Sequence, residues 1–118
     1  MPHLTLEYTS NLPAFDVQQA LLAFNTVLIE SGHFEGPDIK SRAVRLDSFM
    51  VGDYSFPTGF AHVTLRLLDG RSPETKGMLA NDLLGVLQSL VHTDNATALQ
   101  LSVDICDMER SSYAKCVT

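Results

Sequence analysis

The sequence predicts an α+β fold in which two pseudo-symmetric β-α-β units build one four-stranded mixed sheet, with both helices on the same face. Three observations carry this prediction. His3-Leu4-Thr5-Leu6 recurs as His62-Val63-Thr64-Leu65, a shift of 59 residues, which is half of the 118-residue chain. The same shift carries Ala20, Leu21, Phe24, Val27 and Leu28 onto Leu79, Ala80, Leu83, Val86 and Leu87, all apolar and all at the spacing of one helix face. Each half reads strand, helix, strand, and a crossover between parallel strands is right-handed, so the halves meet antiparallel in a single sheet. Residues 1–118 are therefore read as one domain, with the repeat at about 2–59 and 60–118.

The elements follow in order. Residues 2–8 alternate as a half-buried strand does. Asn11-Leu12-Pro13 is a connecting loop, and a helix starts at Asp16-Val17 and stops at Gly32, a residue suited to the left-handed position after a helix. A second strand is expected from about Ile39 to Met50, with Ala43, Arg45 and Asp47 alternating against Val44, Leu46 and Ser48. Gly52-Asp53 and Pro57-Thr58-Gly59 punctuate the joint between the halves. Phe60 to Leu68 is the third strand. Ser72 is placed to cap a second helix with Pro73 at its first position, and that helix runs to about Val91. Ala98 to Met108 is the fourth strand, and Glu109 to Thr118 is a tail. Leu4, Leu6 and Tyr8 point opposite to His3, Thr5 and Glu7, while Phe60, Ala61, Val63, Leu65 and Leu67 are expected to leave both faces of the central strands apolar. A symmetric homo-oligomer would bury the face that the helices leave open.

Composition narrows the function. The chain is 12.9 kDa with 45% hydrophobic residues, enough to bury a core. A formal charge of −6, with only eight Lys and Arg, argues against nucleic acid or an anionic membrane as partner. Cys106 and Cys116 form no disulfide framework and no metal-ligand spacing, so they read as ordinary thiols of a reducing, cytoplasmic compartment. No metal constellation and no phosphate-binding glycine loop is present in the pattern.

Pro2 is the residue that points to chemistry. Once Met1 is removed it carries a free secondary amine at the end of a strand, where proline has no N–H to contribute to a ladder. Unperturbed α-amino groups titrate near ~7.7–8.0, and burial or nearby positive charge lowers that value, leaving a neutral base at physiological pH. While Met1 is attached the nitrogen is an amide with no basic lone pair. The plain alternative is that Pro2 simply starts an edge strand.

Pro2 at the head of the first strand, the doubled β-α-β unit, Ser41-Arg42 in the second strand, and Phe60-Ala61-His62-Val63-Thr64-Leu65 followed by Gly70-Arg71-Ser72 together resemble the 5-carboxymethyl-2-hydroxymuconate isomerases of the tautomerase superfamily. The resemblance covers nearly the whole chain. It implies a homotrimer and a cytoplasmic isomerase of homoprotocatechuate (4-hydroxyphenylacetate) catabolism, in which the terminal proline shuttles a proton without a cofactor. The smaller 4-oxalocrotonate tautomerases look like one half of this chain. The implied substrate is a small carboxylated dienol or unsaturated keto acid. Pro2 is its catalytic general acid and base, and Arg42 and Arg71 match the positions that hold carboxylates, a task suited to the bidentate, permanently charged guanidinium. The second-half equivalent of Pro2 is Ala61, inside the chain, and the first-half equivalent of Arg71 is Leu12, so each subunit has one catalytic proline. The alternative function is a non-catalytic trimeric binding or scaffold protein of the same fold. Arg45 reads as a solvated or interface cation, His3 and His62 as structural, and Tyr54 and Phe56 as packing residues of a hairpin.

Overall fold

A computed structural model describes residues 1–118. The strands and helices are β1 (His3–Thr9), α1 (Val17–Glu30), β2 (Lys40–Leu46), β3 (Thr58–Leu68), α2 (Pro73–Leu90) and β4 (Ala98–Met108), with single 3-10 turns at Gly36–Asp38 and Arg110–Ser112. Both helices start as their sequences dictate. The Asp16 carboxylate accepts from the Gln19 N–H at 3.0 Å, and the Ser72 hydroxyl accepts from the Thr75 N–H at 3.2 Å, with Pro73 at the first turn of α2. Each cap satisfies an amide that no helical carbonyl can reach. Gly32, at φ +79°, leads the chain out of α1 just beyond Ser31.

The sheet order is β2-β1-β3-β4, with β1 parallel to β2, β3 parallel to β4, and β1 antiparallel to β3. Leu4 lies opposite Leu65, Thr5 opposite Thr64 and Leu6 opposite Val63. The 59-residue shift maps the His3–Arg66 pair onto the Glu7–His62 pair, so a local two-fold axis passes through Thr5 and Thr64. From β2 to β4 the shift becomes 62 residues, since His3 faces Lys40 whereas His62 faces Ser102.

One core lies between the sheet and the helices. Ala20, Phe24 and Leu28 of α1 and Leu79, Leu83 and Leu87 of α2, again 59 residues apart, pack with Leu4, Leu6, Ala61, Val63, Leu65 and Leu67 of the central strands. Neither helix is long and apolar enough to cross a membrane.

Three sequence expectations need correction. β2 ends at Leu46, not Met50, because Ser10 N–H takes the Leu46 carbonyl at 2.9 Å and the chain then leaves the sheet. β3 begins at Thr58, two residues early, where the Ala98 N–H donates to the Pro57 carbonyl and opens the β3–β4 ladder. The open sheet face is polar. Ala61, Val63, Leu65 and Leu67 all share the helix-covered side, and register places His3, Thr5, Glu7, Lys40, Arg42, His62, Thr64, Arg66 and Asp104 on the other. Phe60, on that open side, turns edge-on to Phe49 at a centroid distance of 6.4 Å.

Phe24 is fully buried at the centre of the core. Phe24→Ala is expected to destabilise the protein by about 3–5 kcal/mol through lost burial and a residual cavity, measurable as a lower denaturation midpoint in urea.

Candidate active site

The register of the central strands decides what surrounds the amino terminus. His3 lies opposite Lys40 on one side and Arg66 on the other, so Pro2 sits between the start of β2 and the end of β3. Its ring is fully buried and its carbonyl accepts from the Lys40 N–H at 3.1 Å. The missing N–H of proline is no loss here, because the ladder begins after it. Met1 precedes it, so the terminal amine is that of Met1. That amine titrates below its ordinary value of 8.0, chiefly because burial disfavours its charged form; Asp38 opposes the shift, while Arg71, Lys115 and Lys40 add to it.

Arg71 is delivered to this end by a sharp turn out of β3. Gly70 adopts φ +112°, a backbone conformation that a side chain would strain. Arg110 donates from Nε and Nη2 to the Asp69 carbonyl at 3.1 and 2.8 Å and fixes the turn from the far side. The Arg71 guanidinium donates to the Leu68 carbonyl at 3.3 Å and to the His33 carbonyl at 3.1 Å, and it stacks over the Phe34 ring at 4.6 Å. Two of its five N–H groups are thereby engaged, and the rest of the fork stays free to take a carboxylate.

Arg42 lies on the open face of β2, and its Nη2 donates to Nδ1 of His3 at 2.8 Å. A guanidinium can only donate, so Nδ1 is the unprotonated nitrogen and Nε2–H donates to the Tyr113 hydroxyl at 3.1 Å. Burial first, and the positive charge of Arg42 second, hold His3 below its ordinary value of 6.5. Arg42 thus reaches the amino-terminal end through His3, whereas Arg71 acts on the amine directly.

Several residues at this end lay outside the sequence reading. Asp38 precedes β2 and Lys40 opens it, and Tyr113 and Lys115 come from the tail, which folds back over the start of β1. Lys115 Nζ donates to Asp38 Oδ1 at 2.8 Å, and Lys40 Nζ donates to the Asp38 carbonyl at 2.7 Å. No local signal marks Tyr113 or Lys115, because their partners are more than seventy residues away. His3, read as structural, is a link in the Arg42–His3–Tyr113 chain.

The pseudo-equivalent end of the sheet has no such chemistry. Leu12 occupies the place of Arg71, and it lies so close to Gly59 that a Cβ there would come within 2.5 Å of Leu12 Cδ2. Tyr8 and Phe15 pack edge-to-face beside it at 5.0 Å. Tyr54 and Phe56 are exposed on the β2–β3 loop at this opposite end, and Arg45 pairs in solvent with Asp47 at 3.4 Å. Cys106 has its thiol pushed up by burial and by Asp104, so it is a poor nucleophile, and Cys116 is exposed and free.

The depressed His3 value has a measurable consequence. The unfolded chain takes up the His3 proton more readily, so this contribution to stability is full above pH 6.5 and fades as pH falls through 6.5 toward the lower folded value. Arg42→Ala removes the largest of the charge causes, and NMR titration of the His3 ring is expected to show its midpoint rising toward 6.5.

Against known proteins, residues 2–116 match the family described as 5-carboxymethyl-2-hydroxymuconate isomerase. No curated protein matches significantly. Among solved structures, a 5-carboxymethyl-2-hydroxymuconate isomerase from Deinococcus radiodurans R1 is 32% identical with a TM-score of 0.87, over 99% of this chain and 90% of that one. A 5-carboxymethyl-2-hydroxymuconate delta-isomerase is 18% identical with a TM-score of 0.72, over 100% and 89% of the two chains. A fused 4-OT described as a symmetric trimer is 16% identical with a TM-score of 0.76, over 96% and 90%; at these lower identities the likeness is one of fold. With a family match over nearly its whole length and a relative at 32% identity, this chain belongs to the 5-carboxymethyl-2-hydroxymuconate isomerase family and is an isomerase.

Proposed function

We propose that the chain isomerises 5-carboxymethyl-2-hydroxymuconate, or a closely similar carboxylated dienol, by a proton transfer at the Pro2 nitrogen after Met1 has been removed. The observation that carries this reading is the buried terminus ringed by Arg71, Lys115 and Lys40, with a single facing carboxylate, Asp38. An amine at that place is desolvated and lies beside Arg71, Lys115 and Lys40, and both effects favour its neutral, basic form. It takes a proton from one position of the dienol, the π electrons move along the conjugated chain as a dienolate, and the prolinium returns the proton to another carbon. Nothing is oxidised overall, and the same nitrogen ends as it began. Arg71 holds a substrate carboxylate with its free N–H groups, and Arg42 stabilises the negative charge that develops in the dienolate.

The working assembly is a homotrimer. The open sheet face and the two edge strands, β2 and β4, are unpaired in one subunit. That face is polar, so neighbouring copies would meet across complementary charges, with Lys40 and Arg42 near the β2 edge and Asp104 at the β4 edge. The family resemblance supports a cytoplasmic role in homoprotocatechuate breakdown.

Three outcomes test this reading. Protein shown by intact mass to have lost Met1 should isomerise the dienol, and protein fully retaining Met1 should not; wild-type turnover by the Met1-blocked form would sink the proline mechanism. Arg42→Ala and Arg71→Ala should each cost about 2–4 kcal/mol in kcat/KM, with partial rescue by lysine. The larger effect is expected on KM at Arg71 and on kcat at Arg42. Sedimentation equilibrium should give about three times the 12.9 kDa subunit mass, and a stable monomer at micromolar concentration contradicts the trimer.

A further inference from the structure

We infer that Lys115, carried to the site by the C-terminal tail, anchors the third carboxylate of the substrate and makes the enzyme prefer a tricarboxylate to a dicarboxylate. This inference rests on the isomerase reading above. 5-Carboxymethyl-2-hydroxymuconate bears three carboxylates, two at the ends of the dienedioate chain and one on the carboxymethyl arm. Arg71 holds one of them and Arg42 is assigned to the dienolate, so the carboxylate on the carboxymethyl arm calls for a further cation.

The tail supplies it. Tyr113 accepts from His3 Nε2 at 3.1 Å, which pins the tail against β1. Two residues on, Lys115 Nζ lies 2.8 Å from Asp38 Oδ1 and 2.7 Å from Met1 Sδ, with its side chain only 20% exposed. Met1 is the residue that must leave before Pro2 can act. Its departure frees the space beside the proline nitrogen and leaves Lys115 with an ammonium N–H aimed into it. The Met1 side chain thus marks where a ligand in contact with both Pro2 and Lys115 would lie. Lys115 also lines a depression open to solvent, together with His3, Pro37, Asp38, Lys40 and Tyr113.

Lys40 is less suited to the task. Its ammonium donates to the Asp38 main-chain carbonyl at 2.7 Å, a fixed partner that no ligand displaces without unpairing the carbonyl. Asp38 carries one negative charge against the two ammonium groups and Arg71, so the surroundings remain positive and an incoming carboxylate completes the balance. Asp38 also orders Lys115, since a long flexible side chain held in place loses less freedom on binding.

The experiment compares 5-carboxymethyl-2-hydroxymuconate with 2-hydroxymuconate, which lacks the carboxymethyl arm, using protein freed of Met1 as verified by mass. In Lys115→Gln the ratio of kcat/KM for the tricarboxylate over the dicarboxylate is expected to fall about ten- to a hundred-fold, as a charge-assisted contact is lost. Most of the change should appear in KM, and Lys115→Arg should restore much of the ratio. An unchanged ratio in Lys115→Gln overturns the assignment while leaving the isomerase reading intact. If the wild type turns over neither compound, the isomerase reading fails instead, and calorimetric binding of the tricarboxylate decides for Lys115: weaker binding in Lys115→Gln supports it, and equal binding refutes it.

Discussion

The antiparallel pairing of β1 with β3 is the constraint on which the rest of the molecule depends. Leu4 against Leu65 and Leu6 against Val63 place four buried side chains on one face, where both helices close over them. A slip of one residue would turn that set to the solvent side and expose the core. The same register sets His3 against Arg66, so the first residues of the chain and the turn after Leu68 meet at one end of the sheet. Arg71 is three residues past that point. The packing of the core and the approach of a guanidinium to the amino terminus are thus consequences of one register.

Charge is distributed unevenly in this acidic protein. Of eight Lys and Arg residues, five (Lys40, Arg42, Arg66, Arg71 and Lys115) act on the terminal amine or on His3. Asp38 is the carboxylate that acts on the amine among them. A small polyanion therefore meets a local positive field on a molecule whose formal charge is −6, which draws it to this end and away from the remaining surface. Burial first, with the same positive charges adding to it, biases both the terminal amine and His3 toward their neutral forms.

The duplicated architecture is asymmetric at its two ends. Both halves retain the helix stripe, the central strand and an equivalent histidine, His3 opening β1 and His62 lying within β3. At the first-half end, however, Leu12 and the Tyr8–Phe15 pair fill the space with apolar groups. At the second-half end, a glycine turn presents Arg71 to the terminus. Two-fold repetition thus stabilises the sheet, while departures from it at Pro2, Arg71 and Leu12 make its two ends chemically different.

Hydrophobic periodicity, caps and the 59-residue echo determined by themselves the α+β class, the order of the strands, both helix starts and the limits of β4, because these depend on neighbours within a few residues or on repetition. Pro2, Arg42 and Arg71 were legible as candidates because each sits in a recognisable local pattern. Tertiary structure alone decided that the open sheet face is polar, since the side to which Phe60, Ala61 and Val63 point follows from register across strands. It also decided that Arg42 contacts His3, and that the last residues of the chain return to the first. Tyr113 and His3 are 110 positions apart, and no local periodicity encodes a contact that forms only after the sheet has brought β1 beside the end of β3.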